Sequence, residues 1–187
     1  MDIEIKANTF LPELERIYNQ EIREFAKLCV CAAPDYFFID CPASSSGKYH
    51  PIDELGPDGI IIHTKKVFTV VYELSRALAC ENHRDELLAA ALIHDLRKQG
   101  RESATGHTAR NHPALAAELV DEVQAATQIL SDESYKVIKT SVGYHYGPWS
   151  TNEWKKPLGK YTPEELCLYL SDYIASKRIM AVDYRRQ

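Results

Sequence analysis

The sequence predicts an all-α protein organised as one domain. Apolar residues recur at three- and four-residue steps through most of the chain, the period of helices that bury one face. No stretch alternates apolar and polar residues as a half-buried strand does. A length of 187 residues suits one hydrophobic core and is short for two.

Leu11, Leu14, Tyr18, Ile22, Phe25 and Leu28 fall on one helical face, so an N-terminal helix is expected over about 10–29. Residues 33–59 have no period, being broken by Pro34, Pro42, Pro51, Pro57, Gly47, Gly56 and Gly59. A loop of that length in a small domain is usually functional or disordered, and its aromatics and "KYH" at 48–50 favour a functional one. Val67, Val71, Leu74 and Leu78 mark a helix after His63. Leu87, Leu88, Ala91 and Leu92 mark another that ends near His94 and Asp95. Pro113 suits the first turn of the next helix, continued by Ala116, Leu119, Val120 and Val123. A further helix is expected over roughly 133–145. After the polar stretch "GPWSTNEWKKPLGKYTPEE", Thr162-Pro163 with Glu164 and Glu165 opens a last helix, expected to run through Met180.

Hydrophobic residues make up 45% and charged residues 26%, the profile of a soluble globular chain. The net charge of -5 gives no broad basic field that would draw nucleic acid, although a local groove can still be positive. The segment "MDIEIKANTF" lacks the layout of a signal peptide, and no apolar run has the length of a membrane span. Five cysteines without CxxC spacing read as reduced thiols filling the core, so a cytoplasmic protein without a membrane partner is expected.

Several polar residues stand where helices should be apolar. His63 follows "GIII", His94-Asp95 follow "AAALI", His112 precedes Pro113, and His145 ends a helix. Asp172 shares a stripe with Leu168, Ala175 and Ile179, where an ionised carboxylate costs several kcal/mol unless paired or bound to metal. Imidazole nitrogen with carboxylate oxygen suits zinc, iron, manganese, nickel or cobalt. The wide sequence gaps put each ligand on a different helix, the way bundles build interior metal sites.

The order His63, His94-Asp95, Asp172 resembles the H…HD…D pattern of the HD superfamily of metal-dependent phosphohydrolases. The likeness spans about 42–178 and includes "PASSSGKYH", "GPDGIIIHTKKV", "LIHDLRK", "NHPALAAELV", "YHYGPW" and "LYLSDYIASKR". These motifs are most similar to the HD module of YhaM-type 3′–5′ exoribonucleases and to phage-type HD proteins. His112, His145 and "SDYIASKR" also resemble YqeK-type dinucleoside tetraphosphate hydrolases, which carry two irons. The expected layout is one HD domain over 1–187.

The resemblance implies one or two divalent transition metals (manganese, iron, nickel, cobalt or zinc). Their ligands would be His63, His94, Asp95 and Asp172, with His112 and His145 completing a second site bridged by Asp95. It also implies a metal-activated water that attacks phosphorus. Asp95, Lys98, His50 and Lys48 are the candidate catalytic residues, the last three to hold phosphate or protonate the leaving oxygen. Tyr49, Tyr146 and Trp149 are candidates to stack on a base, while Trp149 and Trp154 serve equally well as packing. Arg97 faces either substrate or solvent; His83 and His107 read as a solvated turn and a surface loop. "SSSGKYH" lacks the first glycine of a phosphate-binding P-loop, which excludes that NTPase class.

Three functions fit: hydrolysis of nucleotide phosphoesters or phosphoanhydrides, a 3′–5′ exonuclease or phosphodiesterase on single-stranded nucleic acid, and a non-catalytic nucleotide-binding module. The nucleic-acid-binding domain of YhaM-type enzymes has no counterpart in these 187 residues, which favours the first. Oligomeric state stays open.

Overall fold

The computed structural model describes residues 1–102 and 106–178. Among them, every regular element is helical: α1 (Ile3–Thr9), α2 (Leu11–Leu14), α3 (Gln20–Ala32), α4 (Tyr36–Ile39), α5 (Gly59–Ala77), α6 (Arg84–Ile93), α7 (His112–Thr127), α8 (Asp132–Tyr144) and α9 (Pro163–Ala175). Short 3₁₀ turns fill several connections. No helix among the described residues is long and apolar enough to cross a membrane.

At the centre is α6, whose residues Leu87 to Ile93 are all fully buried. A helix apolar on every side must be surrounded, and α3, α5, α8 and α9 pack around it. The same run delivers His94 and Asp95 into the interior, because Leu96 just beyond them is also buried.

The N-terminal expectation is corrected. The single helix over 10–29 is split into α2 and α3, with α1 preceding them, and residues 15–19 are not helical. Asn19 causes the restart, its side-chain oxygen accepting from the backbone N–H groups of Glu21 and Ile22 at 2.9 and 3.1 Å. Leu11 and Tyr18, expected on the apolar face, are exposed; Leu14, Ile22 and Phe25 are buried.

Two other boundaries move. The helix expected after His63 begins at Gly59, so His63 lies inside α5. The last helix starts as expected, with Thr162 and Glu165 forming a reciprocal capping box, but ends at Ala175. Ile179 and Met180 lie outside the described residues.

The long loop folds back on itself. Cys41 N–H donates to the Pro57 carbonyl, Ala43 N–H to that of Glu54, and Ile60 N–H to that of Cys41, each at 2.9 Å. Gly59 permits this closure: a Cβ there would lie 2.0 Å from the Glu54 carbonyl oxygen. The backbone at Glu54 is thus pressed against the start of α5, below His63.

Candidate metal centre

Five helices bring the centre together. His63 projects from the body of α5, His94 and Asp95 follow α6, His112 opens α7, His145 follows α8, and Asp172 lies in α9. His63 and His94 are fully buried, and Asp95, His112 and His145 nearly so. Asp172 keeps 19% of its side chain exposed, toward the cavity described below.

Three of the histidines are held in the same way. His94 Nδ1 donates to the Ala91 carbonyl at 2.8 Å, His112 Nδ1 to that of Ala109 at 2.8 Å, and His145 Nδ1 to that of Val142 at 2.6 Å. A carbonyl only accepts, so the proton of each neutral ring sits on Nδ1 and Nε2 presents a lone pair inward. His63 turns Nε2 inward as well, because its Nδ1 donates to Glu54 Oε2 at 3.1 Å.

The inward atoms form two groups. One comprises His63, His94 and Asp172, the other Asp95, His112 and His145, with the ligand atoms of each within 4.8 Å of one another. Asp95 serves both: Oδ2 lies 3.4 Å from His94 Nε2, and Oδ1 lies 3.4 Å from His112 Nε2 and 3.7 Å from His145 Nε2. His112 and His145 face each other Nε2 to Nε2 at 3.1 Å.

Two lone pairs and a carboxylate oxygen converging in a buried space repel unless a cation lies among them. His94 Nε2 and Asp95 Oδ1 are indeed buried without a hydrogen-bond partner. Separations of three to four ångströms are those of ligands around one ion bound at about 2.1 Å. These six residues therefore fit one or two divalent cations.

The ion-free electrostatics agree. Burial pushes His112 down to about 4 against the pull of Asp95, and pushes His145 down to about 3, reinforced by His94 and His112. Both are neutral ligands at pH 7. Burial also disfavours charge on His63, but hydrogen bonds to Asp172 (3.0 Å) and Glu54 outweigh it and lift the ring to about 9. Asp172 is held below the usual carboxylate range, its burial overcome by His63. A cation bound here would displace that shared proton.

Lys98 is buried, with Nζ 2.5 Å from Asp95 Oδ2. Burial favours its neutral form, yet the charges of Asp95 and Asp172 raise its pKa, so it remains an ammonium. The turn carrying it is fixed by Tyr36, whose hydroxyl donates to the Gly100 carbonyl (2.8 Å) and accepts from Gln99 N–H (3.0 Å). Arg97 faces neither substrate nor solvent: it is buried and pairs with Glu122 of α7.

A cavity of about 570 Å³ opens onto this centre, lined by Lys98, His112, His145 and Asp172 at its inner end. His50 and Tyr49 line it too, but Lys48 does not. Lys48 stays exposed, its Nζ 5.2 Å from the Tyr49 ring centroid. Trp154 packs against α8, where a Cβ on Gly143 would lie 2.0 Å from the indole. His83, expected in a solvated turn, instead pairs with Glu164 at 2.9 Å and Glu133 at 3.4 Å.

Sequence reasoning missed Glu54. This fully buried carboxylate accepts from His63 Nδ1 and from His50 Nδ1 at 2.7 Å, and its Oε1 forms an ion pair with Lys66 at 2.8 Å. Burial alone would raise its pKa, but these donors hold it at about 2. Its only sequence signal was an acid four residues after His50 and nine before His63, in a loop with no period to mark it as buried.

A family model for the HD domain matches residues 60–177, well over half of the chain. This chain belongs to the HD domain family. The superfamily comprises metal-dependent phosphohydrolases, and HD domains bind divalent metals, with which the two groups of this chain are compatible. The HD match begins at Ile60, so the loop bearing His50 and Glu54 lies outside it. Searches against curated proteins and against solved structures returned no significant match.

Proposed function

We propose that this HD protein hydrolyses a phosphoester or phosphoanhydride bond of a small nucleotide, using a metal-activated water. The observation that carries the reading is the convergence of four Nε2 atoms and two carboxylates at the inner end of an open cavity. When bound, divalent cations there supply Lewis acidity and lower the pKa of water toward neutrality.

The chain's own residues supply the rest. Lys98, a buried ammonium beside Asp95, neutralises charge on a phosphoryl oxygen placed at the cavity floor. His50 donates a hydrogen bond from Nδ1 to Glu54, which leaves Nε2 to meet the substrate from the cavity wall. The α-helical frame keeps these groups rigid, so little reorganisation accompanies the reaction.

A small nucleotide is preferred over a polynucleotide because the chain carries net charge -5 and no broad basic face is evident in its sequence. Metal content and turnover of bis(4-nitrophenyl) phosphate and a nucleotide panel, for the wild type and Asp95→Ala, test the proposal. The wild type should retain metal and hydrolyse at least one nucleotide, while Asp95→Ala loses both by a factor of at least about 100. Equal metal and equal turnover in the two proteins would end the proposal. A steep loss of activity with salt, confined to oligonucleotides, would move the assignment to a nuclease.

A further inference from the structure

The rim of the cavity carries aromatic surface that the core does not use. Trp149 is 57% exposed, Tyr49 59% and Tyr173 41%, and all three line the cavity. Single exposed aromatics are ordinary, but three around the mouth of one functional cavity are not. They come from three separate parts of the chain: the 42–59 loop, the 3₁₀ turn Gly147–Trp149, and α9.

The rim is also arranged rather than scattered. Trp149 lies parallel to Tyr173, interplanar angle 4° with centroids 6.1 Å apart, and Lys177 Nζ caps the Tyr173 ring at 3.6 Å. The turn presenting Trp149 is fixed by Gly147, whose φ of +60° favours glycine and whose Cβ position would lie 2.3 Å from the Tyr169 ring. The indole is thus held in orientation while more than half of its surface stays open.

The rim connects to the metal centre by a short path. The ring of the ligand His112 is 4.7 Å from that of Tyr146, and Tyr146 is 6.2 Å from Trp149. A nucleoside monophosphate can bridge that path, with its phosphate at the ligands and its base at the indole. Ser44, Ser45 and Ser46 line the same cavity, a polar wall suited to a sugar and unsuited to an all-apolar ligand.

We infer that Trp149, backed by Tyr173, is the platform on which the substrate's nucleobase stacks, so the enzyme selects nucleotides over sugar phosphates of equal charge. This deepens the proposed function and rests on it for the placement of the phosphate. Stacking on an aromatic side chain contributes about 1–3 kcal/mol per base, so the preference should be roughly 5- to 150-fold. Stacking tolerates any base, so purine and pyrimidine nucleotides should differ less than either differs from a sugar phosphate.

The test is equilibrium binding by calorimetry on protein loaded with a divalent metal under which it does not turn the two ligands over. Adenosine 5′-monophosphate and ribose 5-phosphate would be titrated into the wild type, Trp149→Ala and Trp149→Phe. The wild type should bind the nucleotide at least about fivefold more tightly than ribose 5-phosphate. Trp149→Ala should lose that margin while keeping its ribose 5-phosphate affinity, and Trp149→Phe should recover most of it. Equal affinity for the two ligands in the wild type, or an unchanged margin in Trp149→Ala, overturns the platform. Failure of the hydrolysis reading would appear elsewhere, as missing metal and turnover in the wild type.

Discussion

At the scale of single residues, the centre depends on where each imidazole keeps its proton. Three backbone carbonyls and one carboxylate accept hydrogen bonds from the Nδ1 atoms, and this turns all four Nε2 atoms inward. Glu54 is the one side chain with this task, and removing such a partner typically lowers metal affinity by 10–100-fold. Glu54→Gln should therefore weaken metal binding by about 10-fold or more, read by competition with a chromophoric chelator, while the helical circular-dichroism signal is unchanged. The isosteric amide keeps the volume but loses the charge that polarises His63. Unaltered metal affinity would assign Glu54 a packing role alone.

At the scale of elements, the helices are pinned at their ends as well as packed along their lengths. His83, in the 3₁₀ turn before α6, joins Glu164 in the first turn of α9 and Glu133 in the first turn of α8. Partial burial alone would depress His83, but the bond to Glu164 and nearby carboxylate charge raise it above its ordinary 6.5. A raised folded-state pKa adds stability that is fully present below 6.5 and disappears as pH climbs through the folded value. Glu164 is held below 4.5 and stays ionised throughout that window, its own burial outweighed by His83. The stability gap between wild type and His83→Gln, from urea unfolding, should thus be larger at pH 5.5 than at pH 9. The difference should stay under about 1 kcal/mol, because the site is near the surface and screened. A gap that ignores pH would mean the pair is not formed in solution.

At the scale of the whole molecule, one ligand set ties α5, α6, α7, α8 and α9 to a common centre. A cation bound only by the folded chain stabilises it by mass action, about 2.7 kcal/mol at a hundredfold excess over Kd. For a chain of this size that corresponds to a Tm change of roughly 5–10 °C. Stripping the metal with a chelator should lower Tm by that amount, and restoring a divalent transition metal should recover it, both seen by scanning calorimetry. Without metal, the facing His112 and His145 lone pairs and the bare Asp95 oxygen destabilise the centre of the bundle. A chelated protein with unchanged Tm would separate the ligand cluster from folding stability.

Much of this protein was legible in its sequence, for identifiable reasons. The α5 to α9 helices carry three-and-four periodicity or strong end signals, such as the Thr162 to Glu165 capping box, and these are local. The ligand residues stood out because a charged or imidazole side chain conflicts with its apolar surroundings, as Asp172 does beside Leu168 and Ala175. What failed was equally specific: the pattern from Leu11 to Leu28 continued across a break that Asn19 capping imposes. Glu54, the exclusion of Lys48 from the cavity, the Arg97–Glu122 pair and the aromatic rim depend on contacts between segments distant in the chain. The sequence alone determined the α5 to α9 helices and the imidazole and carboxylate make-up of the centre, since periodicity and misplaced polarity are read from neighbours along the chain. Only the tertiary structure decided which nitrogen faces inward, which carboxylate supports it and which rings stand at the mouth, because those follow from distances the chain's order does not encode.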